Sequence, residues 1–300
     1  MARKDIEMLD GPIRGSRRLK ADRIHVVASE VRVQAGGALL VEDGATILIR
    51  NGILPSGSLR RAALIFDPGS RLEAGRLFLK ACDDRFRQVR VADNGGVWFT
   101  GTFRSAAKDG LSVAASPGTP PSAFRAGLIA AYHLGHGDPG PGHARRRQDD
   151  RTQDDRDGFS LLGVGPQEWD VREVRSFHSG DDGIDLTQSQ IALTRLRIVA
   201  PAEDGINLSS STLRVARSLA VDVTANGVAD RDIFDLETDH GPSYVEVARH
   251  CHVDIHGVFG DQLRLTSPDL PAPGRSTRKS YGFKGFLRKS PALVYSLTQD

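Results

Sequence analysis

A five-residue phrase recurs five times between Asp157 and Leu265, and this repeat constrains the fold more than any other feature of the chain. Each copy reads Asp, any residue, a large apolar residue, any residue and Leu. The copies begin at Asp157, Asp182, Asp204, Asp232 and Asp261, so successive copies are separated by 25, 22, 28 and 29 residues. Repeats with a period between about 20 and 50 residues are typical of proteins built from stacked structural units.

Each of the first four copies is followed by a run in which apolar residues recur at every second position. These runs are Trp169 to Phe177, Ile191 to Val199, Leu213 to Val223, and Val245 to Ile255. A period of two indicates half-buried strands, and a unit of ~22 residues is too short to hold a crossover helix as well. We therefore predict an all-β protein, a single-stranded right-handed parallel β-helix whose coils of 22–29 residues stack to bury their apolar sides.

The alternation also suggests where the solenoid begins and ends. It starts at Ile24, so we predict a cap or arm over residues 1–23, the β-helix over residues 24–268 and a tail over residues 269–300. A Pro-, Gly- and charge-rich stretch at 116–156 interrupts the pattern, and we take it as a long insertion at one corner. Within it, the apolar segment from Ala126 to Leu134 fits either a strand or a short helix.

Composition and charge narrow the partners and the compartment. The formal net charge is +2 and aromatic residues make up 6% of the chain, so nothing signals a nucleic-acid-binding protein. The C-terminal tail has six basic residues and no acidic one between Leu270 and Gln299, a pattern that suits either contact with an anionic polymer or ordinary solvated charges. No Sec-type signal peptide and no membrane span are apparent. We expect a soluble protein that is cytoplasmic or exported by a non-Sec route.

The side-chain period of two sorts the repeat into an inner and an outer row. The leading aspartates share the inward parity and lie at corners, where they can cap the turn by accepting backbone N–H bonds. Stacked carboxylates repel one another, so a catalytic or metal-binding role remains an alternative for this row.

The opposite parity places a second set of polar residues on the outer surface of successive coils. They are Ser160, Asp185, Asn207, Asp235 and Arg264, continued by Thr187, Ser209, Glu237 and Thr266. Asp185 and Asp235 fall two coils apart, about 9–10 Å, which is close to the separation used by inverting glycosidases. An acidic strip of this kind also suits Ca²⁺, and charged residues on a sheet also simply face water.

The histidines and cysteines indicate no further site. His178 lies at a corner before Asp181 and Asp182, where it can contact a ligand. His250, His252 and His256 flank Cys251, but alternation points the thiol inward and the rings outward, which argues against a zinc site. No nucleophile elbow or phosphate-binding glycine loop occurs, and the two cysteines suggest no disulfide framework.

The phrase from Ser179 to Asp185, echoed from Glu203 to Asn207, resembles the coils of pectin-lyase-fold proteins. It is particularly similar to the Gly-Asp-Asp element of the polygalacturonase group of glycoside hydrolases, which Asp181 and Asp182 match. The family's Arg-Ile-Lys and Asn-Thr-Asp elements have no counterpart, and Gly135-His136-Gly137 precedes the aspartate pair instead of following it. The resemblance implies the β-helix fold and a polysaccharide ligand.

Two functional hypotheses follow. In the first, the chain is a glycoside hydrolase or polysaccharide lyase acting on an acidic polymer. Its predicted catalytic residues are Asp181, Asp182, Asp185 and Asp235, and its predicted substrate-binding residues are Asn207, Glu237, Arg264 and His178. No motif demands a cofactor, and Ca²⁺ is the ion best suited to the strip. In the second, the chain is a non-catalytic scaffold or a carbohydrate- or protein-binding surface. The sequence does not indicate the oligomeric state.

Overall fold

A computed structural model describes residues 5–50, 62–90, 95–103, 115–135, 158–223, 232–237 and 241–258, together with three strands beyond them. The described chain is all-β, as predicted, and contains 23 strands in two sheets. No described helix is long and apolar enough to span a membrane.

The seven-stranded sheet, which we call face 1, is parallel throughout. Its strands, in spatial order, are β4 (Glu30–Val33), β7 (Ala63–Phe66), β9 (Gly96–Thr100), β11 (Phe159–Leu162), β14 (Ile184–Thr187), β16 (Ile206–Ser209) and β18 (Phe234–Glu237).

The sixteen-stranded sheet contains two stacks of parallel strands that share four long strands, together with three C-terminal strands. The long strands are β8 (Arg71–Cys82), β10 (Ala123–Tyr132), β15 (Gln190–Val199) and β17 (Thr212–Asp222). In face 2 their first halves pair with β5 (Ala38–Val41), β12 (Trp169–Val171) and β19 (Tyr244–Ala248), and β2 (Ser16–Leu19) extends the stack by pairing with β5. In face 3 their second halves pair with β6 (Ala45–Arg50), β13 (Glu173–Phe177) and β20 (His252–Val258), and the stack continues from β6 to β3 (Ile24–Val27) and from β3 to β1 (Ile6–Leu9).

The chain passes through faces 1, 2 and 3 in the same order in each repeat. Ile184 pairs with Ile206, and Ile206 with Phe234, so neighbouring strands of face 1 are offset by the spacings of the sequence phrase. Parallel pairing one repeat away confirms the predicted stacking of units. The arrangement is compatible with a β-helix or solenoid.

The inward side chains of all three faces form one hydrophobic core that runs from Leu9 to Ile255. Phe66 and Phe99 stack with ring centroids 4.9 Å apart. Phe124 and Trp169 pack edge-on against Phe99, at 5.1 and 5.3 Å. The Phe66–Phe99 contact joins equivalent positions of neighbouring repeats, and the other two join face 1 to face 2 across the core.

The regions outside the repeat phrase contribute strands as well. β1 and β2, within the predicted cap at residues 1–23, pair in parallel with β3 and β5. The segment within the predicted insertion that fitted either a strand or a helix is the strand β10, which belongs to faces 2 and 3. Residues 136–157 lie outside the described part of the chain.

The C-terminal strands pair differently from the repeat. They are β21 (Leu263–Leu265), β22 (Ser280–Phe286) and β23 (Ala292–Leu297). β22 is antiparallel to β20, and β23 is antiparallel to β19 and β21, so two strands close the last repeat. The fifth copy of the phrase therefore departs from the predicted stacking, because its Leu263–Leu265 pairs with β23.

A ladder of buried serines links faces 1 and 2 at the corner between them. Ser211 Oγ lies 2.8 Å from the Leu186 carbonyl oxygen and accepts the Ser189 N–H at 2.9 Å. Ser189 Oγ accepts the Val164 N–H at 3.0 Å, and Ser243 Oγ accepts the Ser211 N–H at 3.3 Å. The hydroxyls satisfy backbone groups that the corner would otherwise leave unpaired.

Candidate functional site

The leading aspartates of the phrase build an acidic corner where face 3 leads into face 1. Asp182 Oδ1 accepts the backbone N–H of Asp204 at 2.7 Å, and Asp204 Oδ1 accepts that of Asp232 at 2.5 Å. From the sequence we predicted that each aspartate caps its own turn. The structure shows that these bonds join each aspartate to the equivalent residue of the next repeat, because identical corners stack directly over one another.

The glycine of the Asp-Gly pair is required by this close stacking. A Cβ on Gly183 would lie 2.4 Å from the Gly205 carbonyl oxygen and 2.3 Å from Ile198 Cγ2. A Cβ on Gly205 would lie 2.6 Å from the Ile233 carbonyl oxygen. Any larger residue would therefore force the repeats apart and break the Asp182–Asp204 hydrogen bond.

Burial changes the protonation of the corner. It raises the pKa of Asp182 well above its usual value, and the neighbouring Asp204 and Asp181 carboxylates raise it further. Burial also raises the pKa of Asp204, to about 8, against the lowering effect of the Asp232 N–H that it accepts. At neutral pH the Asp204 side chain is therefore largely protonated, and burial favours the neutral form of Asp182 as well, which relieves the repulsion between stacked carboxylates.

The outer row of face 1 is in direct register. Ser160 pairs with Asp185, Asp185 with Asn207, and Asn207 with Asp235. At the strand spacing of ~4.8 Å, Asp185 and Asp235 lie about 9–10 Å apart with Asn207 between them. Burial raises the pKa of Asp235.

This row is more buried than an outer sheet surface should be. Ser160 and Asp185 are 6% and 5% exposed, and Asn207 and Asp235 are half-buried. Ser160 Oγ and Asn207 Oδ1 are buried and form no hydrogen bond with any described residue. Because unpartnered buried acceptors are costly, this pair marks a place for a water molecule or a ligand group.

The adjacent outer row is more accessible at its C-terminal end. Thr187 pairs with Ser209, and Ser209 with Glu237. Thr187 is buried, Ser209 is half-buried and Glu237 is exposed. A ligand approaching from solvent would therefore meet Glu237 and Asp235 before it met Asp185.

Three acidic side chains at the corner lie close enough to share a cation. Carboxylate oxygens of Asp181, Asp182 and Glu203 are all within 4.8 Å of one another. Hard cations such as Ca²⁺ bind oxygen ligands of this kind but need six to eight of them. Glu203 was not predicted, although it precedes Asp204 as Asp181 precedes Asp182.

His178 lies at the same corner but outside the acidic rows. Its ring is exposed and stacks on His133, with centroids 5.0 Å apart and planes 7° apart. Burial lowers the pKa of His133, and His178 and Arg90 lower it further. The stacked rings continue the ladder of face 3, and the predicted role of His178 in binding substrate stays a prediction.

Some of the remaining residues singled out in the sequence lie within the described part of the structure, and others lie outside it. Arg264 lies in β21, and its side chain is outside the described part of the structure, as are Asp157 and Asp261. Cys251 is fully buried, and His256 Nε2 lies 2.9 Å from Asp254 Oδ1 on the other side of the strand. This arrangement agrees with the prediction that Cys251 and its flanking histidines point in opposite directions.

Comparison with known proteins identifies no relative. No protein-family model matches the chain, and no curated protein or solved structure is significantly similar to it. The function is therefore inferred from the geometry of the site.

Proposed function

We propose that the chain is a right-handed single-stranded parallel β-helix of the pectin-lyase-like superfamily that hydrolyses an acidic polysaccharide with inversion at the outer row of face 1. The observation that carries this proposal is the position of Asn207 Oδ1, a buried acceptor without a described partner, midway between two carboxyl groups in register.

Inverting hydrolysis needs a carboxylic acid that protonates the leaving oxygen and a carboxylate that activates water. The two groups stand roughly 6.5–9.5 Å apart so that water fits between them. Asp235 is suited to be the acid, because burial raises its pKa and favours its protonated form. Asp185, about 9–10 Å away across one strand, is the proposed base.

Asp235 and Asp185 differ in exposure, and this difference fits their proposed roles as acid and base. Asp235 and Glu237 lie at the accessible end of the outer rows, where a polymer can reach them. Asp185 is 5% exposed, and a general base needs to reach only water. A water molecule bound at Asn207 Oδ1 would donate one hydrogen there and the other to Asp185, leaving its oxygen free for attack. In this mechanism the proton that Asp235 gives to the leaving group is balanced by the one Asp185 removes from water.

Protonation of the buried aspartates also favours binding of an acidic polymer. Ionised aspartates would repel uronate groups, but burial raises the pKa of Asp182 and Asp235 above the usual value and that of Asp204 to about 8, which favours their neutral forms. The predicted pH profile therefore lies on the acidic side, and activity falls as these groups ionise.

The test is a screen for reducing-end release from acidic polysaccharides, with and without Ca²⁺, followed by NMR of the first product to read its anomeric form. We expect Asp235→Asn and Asp185→Asn to lower kcat by at least about 1,000-fold and Asn207→Ala to lower it by about 10–100-fold. Asp43→Asn, at an exposed ion pair with Arg76, is the matched control. Full activity in Asp185→Asn, or a retained anomeric configuration, would refute the mechanism.

A non-catalytic scaffold is the second candidate, and a separate observation favours it. The carboxylates of Asp182 and Asp204 are both used as acceptors for the backbone of the next repeat, which gives this row a structural role. If the folded wild-type protein releases no product from any polymer, the scaffold function replaces the hydrolase.

A further inference from the structure

We propose that a groove between faces 2 and 3, away from the acidic corner, is a second binding site that holds an anionic polysaccharide chain through Arg18, Arg125 and Arg172. The groove has a volume of about 630 Å³. Its three arginines come from β2, β10 and the residue after β12, so it crosses four strand steps, or roughly 19 Å.

Glycines at equivalent positions of adjacent repeats place no side chain at the floor of the groove. Gly127 lines the groove where β10 passes from face 2 to face 3, and Gly75 occupies the equivalent place in β8. A Cβ on Gly127 would lie 2.9 Å from the Gly75 carbonyl oxygen. The lining also includes the apolar residues Leu40, Val41, Ala74 and Ala126.

The arginines are available for a ligand. All three are exposed, and none of them forms an ion pair or a side-chain hydrogen bond within the described part of the chain. Elsewhere on the surface, Arg32, Arg76 and Arg214 are paired with carboxylates. A guanidinium binds a carboxylate through two parallel N–H bonds, so three unpaired guanidinium groups along a groove suit a chain that carries carboxylates at intervals.

The acidic side chains of the groove favour a polysaccharide over a nucleic acid. Glu42, Glu73 and Asp170 alternate with the arginines, and Glu73 is paired with Arg71 at 2.7 Å. These carboxylates can accept hydrogen bonds from sugar hydroxyls, but they repel a backbone that carries a charge at every unit. None of the described residues that line the groove is aromatic, so they offer no stacking platform for bases.

This inference rests on the proposed function for its choice of polymer, but it concerns a site without catalytic groups. The groove would hold the polymer on one side of the protein while the outer row of face 1 acts on another segment of it. Its loss should therefore weaken binding of long polymers and raise KM without lowering kcat.

The test is affinity electrophoresis or calorimetric titration with three probes, namely polygalacturonate, neutral dextran and a single-stranded oligodeoxynucleotide. We expect the wild type to bind polygalacturonate and to release it as salt rises from 50 to 300 mM. The double variant Arg125→Ala/Arg172→Ala should bind at least 10-fold more weakly. Arg125→Lys keeps the charge but cannot form two parallel hydrogen bonds with a carboxylate. Its affinity should lie between those of the wild type and the double variant. Arg85→Ala, an exposed arginine outside the groove, is the matched control.

Several outcomes would overturn the proposal. They are unchanged binding by the double variant, equal binding of dextran, tighter binding of the oligodeoxynucleotide, and an effect of Arg85→Ala equal to that of the double variant. Asp185→Asn should bind polygalacturonate as the wild type does. The two proposals are thus tested by different variants. Binding by Arg125→Ala/Arg172→Ala tests the groove, and turnover by Asp185→Asn tests the hydrolase.

Discussion

Asp182 Oδ1 accepts the backbone N–H of Asp204 across one repeat at 2.7 Å, and Asp204 repeats the same contact with Asp232 at 2.5 Å. A side chain that recurs once in each repeat of the sequence thus becomes part of a chain of hydrogen bonds along the stacked repeats. Because the carboxyls are also buried, their ionisation is coupled to the stability of the stack.

The first prediction is that the protein loses stability as pH rises. The pKa of Asp204 is about 8 in the folded protein against 3.8 as its ordinary value. The folded state therefore holds this proton more tightly than the unfolded state, and the stability that it contributes is full below about pH 4 and is lost as pH rises to about 8. Asp182 acts in the same direction.

Urea unfolding at pH 5 and pH 8.5 measures this effect. After allowance for partial exposure, we expect a loss of about 2 kcal/mol in the free energy of unfolding. Asp204→Asn keeps an acceptor for the Asp232 N–H without a titrating proton, so it should flatten the pH dependence. Asp43→Asn, on the surface, should leave the slope above pH 5 as in the wild type. A wild type that is more stable at pH 8.5 than at pH 5 would contradict the coupling.

The second prediction concerns the serine ladder. Ser211→Ala removes the acceptor of the Ser189 N–H and the donor that reaches the Leu186 carbonyl, and both groups stay buried. Unsatisfied buried polar groups cost about 1–3 kcal/mol each, so the free energy of unfolding should fall by roughly 2–4 kcal/mol. Ser218→Ala, at a half-buried position on face 3, should change it by less than about 0.5 kcal/mol. Chemical denaturation followed by circular dichroism distinguishes the two.

The third prediction concerns Glu168, which is 5% exposed. Its carboxylate accepts the N–H groups of Thr102, Ser122 and Gly165 and the Thr102 hydroxyl, at 2.6 to 3.1 Å. Glu168→Gln replaces one acceptor oxygen with an NH₂ group that faces the Gly165 N–H. We expect a loss of about 2–3 kcal/mol in urea unfolding. Glu246→Gln, at a half-buried glutamate that pairs with Arg214 on the surface, provides the control, and equal stability of the two variants would show that Glu168 does not hold these segments together.

The fourth prediction concerns the N-terminal end of the stack. Glu7 and Arg17 lie on the core-facing side of β1 and β2, where they pair with each other, and Arg23 lies 3.5 Å from Glu7. Charges that point inward at the end of a sheet discourage other strands from adding to it. The double variant Glu7→Val/Arg17→Val should therefore associate, with the associated fraction rising with concentration in sedimentation velocity. Arg18→Val, on the outer side of β2, should sediment as the wild type does.

Much of the fold follows from local patterns. The Asp-x-apolar-x-Leu phrase marks four of the face 1 strands, and the alternating runs mark faces 2 and 3, because a period of two puts apolar residues on the same side. The order of inward and outward residues around Asp185, Asn207 and Asp235 is likewise a local property, and their register follows from their equivalent places in successive copies of the phrase.

What the sequence by itself determined is that the chain forms stacked parallel strands with acidic residues at equivalent places. Only the tertiary structure decided what surrounds those residues. Parity placed Asp185 outward, yet it is 5% exposed, and the proton held by Asp204 depends on burial contributed by neighbouring repeats. The groove of Arg18, Arg125 and Arg172 joins residues up to 154 positions apart, without any shared motif. Local spacing sets which way a side chain points, whereas burial and charge depend on residues distant in sequence that packing brings together.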